Sequence, residues 1–436
     1  MRSGVGEAVT VVDLRQVAKR AAEWSALLPR VTPHYAVKCN PDLAIASTLA
    51  ECGVNFDCAS ATEMDMIVSK VGVSPDRVIY AHPTKAPSQL RYAVDNGVDL
   101  TVVDSIEEVE KLAALHPTAK IVVRIKVDDS NSAMPFSAKF GADLSAVPAI
   151  MDRASKLGMA VVGVSYHVGS GCEHPDTFYK AVGAANTAFG YGKAAGHAMT
   201  LLNLGGGYPG RADPGAPTHM LPSIFPTVAA RINAALNEFF PESRVDSVSG
   251  QPIRVIAEPG RYFVSSCQTM ATPIIAQRIE GDPAGDGMSR LYISDGVYGS
   301  FNCVIFDQQK PSPSFVPREL LEAPDAAAVL EAMTPLAPPS DGEEVPSQHM
   351  SVWGPTCDSV DLVVKDLRVP VGTRIGTGDW FVWDNMGAYT NASASTFNGF
   401  HVPNRAYIPA SAQWDFEGLV QEVTQELHQH QPTPFS

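Results

Sequence analysis

Two hydrophobic periodicities alternate along the first part of the chain. Short apolar runs recur at HYAVK (34–38), VNFD (54–57), VIYA (78–81), LTVVD (100–104), KIVVRIKV (120–127), AVVGVSYH (160–167), TLLNL (200–204) and IRVIAE (253–258). Their β-branched residues fall on both faces, as in parallel strands buried on both sides. Between them, apolar residues return every three or four positions. In DLRQVAKRAAEWSALLP (13–29), Leu14, Val17, Ala21, Trp24 and Leu28 share one helical face, with Asp13 placed to cap it. ATEMDMIVSKVG, APSQLRYAVDNG and SIEEVEKLAALH repeat that pattern. Eight strands separated by helices within about 240 residues predict a closed (β/α)8 barrel. An open doubly wound sheet would call for a glycine fingerprint after its first strand, and this chain has none there.

Past residue 262 the pattern changes. SRLYISDGVYG, HMSVWG, DWFVWDNMGAY and GFHVPNRAYIP read as strands joined by Gly, Pro and Asn turns, with no helices between them. Residues 311–348 are proline-rich and acidic and read as a loop insertion with one short helix.

Composition narrows the partners. The 436 residues are 45% apolar and 18% charged, with a formal charge of −15. That charge disfavours nucleic acid and anionic membranes. No run of about 18 apolar residues occurs, and the opening MRSGVGEAVTVVD lacks a signal-peptide pattern. The seven cysteines (39, 52, 58, 172, 267, 303 and 357) are scattered, with no zinc-type CxxC spacing. A reduced, cytoplasmic protein without a structural metal is expected.

On the barrel reading, the reactive residues collect at one rim. Lys38 closes the first strand, Asp57 the second and His167 the sixth. Gly205, Gly206 and Gly207 follow the seventh, and Glu258 with Gly260 and Arg261 (EPGR) follows the eighth. Barrel enzymes work at this rim and often hold a phosphate after strands seven and eight. Consecutive glycines let backbone N–H groups approach an anion, and an arginine adds a bidentate contact. Each feature alone has an ordinary explanation: a solvated lysine, a tight turn, a core histidine, a polar strand end. Their shared position does not. Pyridoxal phosphate needs a Schiff-base lysine, an anion site and a partner for its ring nitrogen. Lys38, the loops after strands seven and eight, and Glu258 supply these, with His167 covering a ring face.

The motifs YAVKCN (35–40), FDCAS (56–60), KFGADL (139–144), HVGSGC (167–172), LGGGYPG (204–210), AEPGRYFV (257–264), SDGVYGSFNC (294–303), WGPTCDSVD (353–361), DNMGAYT (384–390) and STFNGF (395–400) extend this reading. In that order they closely resemble the eukaryotic-type ornithine decarboxylases, pyridoxal-phosphate enzymes of the alanine-racemase-like fold. The resemblance implies a PLP-binding barrel over 14–262. It also implies a sandwich-like or Greek-key β-barrel domain from 1–13 and 263–436, joined by the strand near VTVVDL (9–14). Lys38 is implied to form the Schiff base, Glu258 to pair with the pyridinium nitrogen and His167 to stack on the ring. Ser170, Gly205–Gly207, Gly260, Arg261 and Tyr389 are implied to hold the phosphate. Asp57, Glu63, Arg124 and Lys139 match positions around the site. The family's head-to-tail homodimer implies shared active sites. Cys357 from the partner would protonate Cα after CO2 leaves, and Asp358 with Asp307 would grip the distal ammonium of a diamino acid, beside Tyr298 and Phe397.

The chain departs from the family at VIFDQQK (304–310), where relatives read LYDHA. Phe306 replaces a tyrosine and Gln308 a histidine beside Asp307. Losing both groups widens or dries the distal pocket, so L-lysine competes with L-ornithine as the substrate. A diaminopimelate decarboxylase, a racemase, an unrelated phosphate-binding barrel and a non-catalytic regulatory homologue are the rival readings of the same residues.

Overall fold

The computed structural model describes residues 6–210, 224–280, 288–322, 333–336 and 347–410. They form two compact units: Arg15–Gly210 with Ile224–Phe263, and the chain up to Leu14 with Val264–Pro409.

The first unit is a closed barrel of eight parallel strands in chain order. They are Val31–Ala36, Asn55–Cys58, Val78–Tyr80, Leu100–Val103, Lys120–Arg124, Ala160–Ser165, Leu201–Asn203 and Arg254–Ala257. Pairing of Val255 with Val31 closes the ring. Each expected run overlaps one strand, because the β-branched residues that mark the runs fill both faces of a barrel wall. Ile79, Val102, Val122, Leu201 and Ile256 form one packed cluster of this wall.

The helix Leu14–Leu27 turns its predicted face inward: Val17, Ala21, Trp24 and Leu28 are buried. Trp24 packs among Tyr208, Phe225, Tyr262 and Phe263. Caps hold several later helices. Asp42 accepts from the N–H groups of Ala44 and Ile45, Ser60 from Glu63 and Ser105 from Glu108.

The second unit is a nine-stranded mixed sheet. The long strand Gln268–Glu280 pairs with Val9–Val12 and Trp380–Trp383 along its first half and with Met288–Ile293 along its second. A register shift at Ile274/Ala276 marks the change of partners. Such bulges are how a strand turns the corner between sheets. The N-terminal strand Val9–Asp13 also runs parallel to Asn404–Ile408. Trp383, Phe381, Phe301, Met270 and Leu291 lie in its core.

Most of the 311–348 insertion lies outside the described residues. At its described start, the expected loop is instead a strand, Pro313–Val316, paired with Trp380–Trp383. Pro313 is its first residue, a position where a missing N–H is tolerated in a sheet. A 3-10 turn follows at Arg318–Glu322.

Candidate active site

Lys38 sits just past its strand, in the single 3-10 turn Val37–Cys39, and not at the strand's end as the pattern predicts. Its neighbours explain why. Tyr35 is buried and its hydroxyl donates to Asn40 O at 2.9 Å, so it ties the turn down from inside. Ala36 N–H donates to Pro259 O. A Cβ at Gly260 would lie 3.0 Å from Cys39 Cβ, so glycine there lets the EPGR loop lie close against the lysine turn. Lys38 Nζ then stands 3.0 Å from Asp57 Oδ2. The lysine is half-exposed and the carboxylate almost wholly buried.

Glu258 is the half-buried acid of the rim. Its carboxyl is pushed up to about 7, chiefly by burial and then by the charge of Asp57. Asn203 Nδ2, Lys38 and Arg124 pull the other way. Asn203 Nδ2 donates to Glu258 Oε1 at 2.7 Å, and Asn203 Oδ1 accepts from Gly205 N at 2.9 Å. One amide thus links the acid to the glycine loop. The expectation drawn from the motifs passed over Asn203. Its signal was present: it is the polar residue that ends the otherwise apolar run Leu201–Asn203.

His167 is held far below the usual histidine range by burial, with Arg124 and Lys38 adding to it. Its Nδ1 accepts the Gly169 N–H at 3.0 Å, which leaves the proton on Nε2 of a neutral ring. The ring is therefore suited to stacking and not to acting as a cation. The edge of Phe136 meets it with ring centres 5.0 Å apart.

The glycine loop fits closely over this segment. A Cβ at Gly205 would overlap Tyr166 O, one at Gly206 would stand 2.7 Å from His167 Nε2, and one at Gly207 would press on Gly169 O. Gly205 and Gly207 also have positive φ, 59° and 114°. Beside them, Arg261 Nη2 donates to Ser170 Oγ at 3.0 Å. Arg124 is half-buried over Phe140, and its charge is supported by Glu258, Asp104, Asp57 and Asp129 against desolvation. Glu63 accepts from Ala59 N–H, and burial pushes its carboxyl up. Lys139 Nζ lies 5.0 Å over the Phe140 ring.

These residues suit pyridoxal phosphate on structural grounds. The loops after the seventh and eighth strands offer close backbone and a guanidinium to an anion. Glu258 is a half-buried acid able to face a ring nitrogen. Asp57 Oδ1 is buried with no hydrogen-bond partner.

The remaining predicted residues lie in the second unit. Asp358 is oriented by the Tyr298 hydroxyl, which donates to Oδ2, and by Val360 N–H, which donates to Oδ1 at 3.0 Å. The Tyr298 contact holds its carboxyl below the usual range. Phe397 stacks on Tyr298 at 4.2 Å. Cys357 is exposed, whereas the other six cysteines are buried. Its N–H donates to Oδ1 of Asn398, a residue with a left-handed φ of 54°. Tyr389 is left-handed as well, at 57°. Phe306 and Gln308, which the departure from the family singled out, are both exposed at the surface. Asp307 is gripped instead by the next residue but one, Gln309. Among the described residues no helix is long and apolar enough to cross a membrane.

Comparison with known proteins agrees with this chemistry. Residues 14–265 match the family described as pyridoxal-dependent decarboxylase, pyridoxal binding domain. Ornithine decarboxylase of Rattus norvegicus is 41% identical over 424 residues, covering 95% of this chain and 83% of that protein. Antizyme inhibitor 2 of Xenopus laevis is 37% identical, covering 99% and 88%. Among solved structures, the arginine decarboxylase of Paramecium bursaria Chlorella virus superposes with a TM-score of 0.77 at 33% identity, covering 93% of this chain and 97% of that one. The chain belongs to the ornithine decarboxylase group of pyridoxal-dependent decarboxylases and is a pyridoxal-phosphate-dependent amino-acid decarboxylase.

Proposed function

We propose that the chain converts L-ornithine to putrescine and CO2, as a cytoplasmic homodimer whose active sites are shared between subunits. When bound, pyridoxal phosphate supplies an electron sink for the charge left on Cα as CO2 departs. Lys38 provides the amine that tethers the cofactor, and Asp57 keeps that amine oriented. Glu258 would offer the carboxyl oxygen that Asn203 does not occupy to the ring nitrogen and so keep that nitrogen protonated. The neutral His167 imidazole covers one ring face. Gly205–Gly207, Ser170, Gly260, Arg261 and Tyr389 hold the phosphate, and Arg124 lines the cofactor site.

Cys357 Sγ delivers the proton to Cα, and Asp307 with Asp358 receives the distal ammonium. Two acids facing one ammonium favour a basic side chain, because a buried carboxylate left unpaired is costly. The observation that carries this reading is the Lys38–Asp57 pair on the same rim as the Asn203-bound carboxyl of Glu258. The shared site is supported by the exposure of Cys357, Phe397 and Phe400 on the single chain. A purely regulatory role, of the kind that the antizyme inhibitor relative's name describes, gives no reason to keep Lys38, Glu258, Arg261 and Cys357 together.

CO2 release from L-ornithine, L-lysine, L-arginine and diaminopimelate tests the substrate. Ornithine should give the highest kcat/KM. Borohydride treatment should fix the cofactor to Lys38, and Lys38→Ala should yield no such adduct. An adduct on another side chain, or turnover of no basic amino acid, overturns the proposal.

A further inference from the structure

Gln309 has no role in the site described so far beyond its grip on Asp307, yet it is only 7% exposed. It follows Gln308, whose φ of 53° lies in the left-handed region. That turn brings the N–H groups of Asp307 and Gln309 onto a single acceptor, Cys303 O, at 3.0 and 3.1 Å. The side chain of Gln309 is thereby folded back on its own segment. Its Nε2 donates to Asp307 Oδ2 and, at 3.1 Å, to the carbonyl of Ala388, which precedes Tyr389.

Both amide hydrogens are committed, while Oε1 is buried with no hydrogen-bond partner. Stability alone does not favour a buried carbonyl left unsatisfied. Violations of this kind are expected where a residue is kept for what it holds.

We propose that Gln309 is a specificity-determining positioning residue, which sets substrate chain length by tying the Asp307 carboxylate to the Ala388 carbonyl. The inference rests on the role given to Asp307 under the proposed function. An untethered aspartate changes rotamer to follow an ammonium one methylene further out. A tethered one receives that ammonium at a single depth. Discrimination against one added methylene spans about 10- to 200-fold, and the tether decides how much of that range the enzyme reaches. Its effect falls on KM more than on kcat, because the distal group is bound alike before and during bond breaking.

The test compares holoenzymes carrying Gln309→Met, which fills the space without donors, and Gln309→Asn, which keeps the amide but is too short to span both acceptors. In each, KM for L-ornithine should rise roughly tenfold with kcat within about threefold, and kcat/KM for L-lysine should change by less than about threefold. The ornithine-to-lysine ratio then falls about tenfold. Retained cofactor absorbance and an unchanged melting temperature show that the fold persists. A ratio that stays constant while activity falls equally for both substrates overturns the inference and leaves the proposed function standing. A wild type that decarboxylates neither amino acid overturns both.

Discussion

Asn203 donates to Glu258 Oε1 at 2.7 Å while accepting from Gly205 N at 2.9 Å, so the acid and the anion loop share one amide. Replacing it with leucine removes both contacts. A hydrogen bond to a charged group contributes about 1.5–3 kcal/mol, so kcat/KM should fall roughly 10- to 150-fold in Asn203→Leu. Steady-state kinetics alongside cofactor titration reads this directly.

The pH dependence of stability follows from Glu258 itself. Its folded pKa is raised from 4.5 to about 7, so the folded state holds a proton that the unfolded chain has released over that window. The stability it contributes is complete below the lower value and is lost as pH rises through the upper one. In cofactor-free protein, Glu258→Gln should match wild type at low pH and become the more stable of the two by pH 8, by on the order of 3 kcal/mol. Urea midpoints for both proteins across the range test the sign.

Gly206 has no positive φ, so alanine there is opposed by space alone: its Cβ would lie 2.7 Å from His167 Nε2 and 2.9 Å from Glu258 O. Gly206→Ala should fold, lose about 1–3 kcal/mol from overpacking and bind pyridoxal phosphate more weakly. Thermal melts and cofactor titration separate the two effects.

Lys85 is fully buried against Glu108 at 3.1 Å, and its ammonium also donates to Val102 O and His82 O. Burial lowers its pKa to about 8 in spite of Glu108. Lys85→Met leaves a buried carboxylate short of a partner and should cost about 3–5 kcal/mol. Adding Glu108→Gln should recover part of that loss. A double mutant no more stable than the single would show that Lys111, which also reaches Glu108, carries the compensation.

Cys357 is exposed and held by its backbone to Asn398, so Cys357→Ala should leave the melting temperature and cofactor absorbance unchanged. Loss of a positioned proton donor should lower kcat about 10²- to 10⁴-fold. An undiminished kcat would assign the proton delivery elsewhere.

Strand positions, the glycine-rich loops and the placement of Lys38, Asp57, His167 and Glu258 at one rim were legible because periodicity and residue type are local properties. A (β/α)8 barrel repeats one local unit, so reading the units in order gives the topology. The strand Pro313–Val316 was not legible, since its prolines describe a loop equally well and only the partner strand Trp380–Trp383 decides otherwise. The charge state of His167 was also beyond reach: burial and the Gly169 N–H make it neutral, and both come from residues brought together in space. Asn203 and Gln309 went unseen for the same reason. An amide announces no chemistry in one dimension, and its role is set by which acceptors and donors the folded chain carries to within about 3 Å of it.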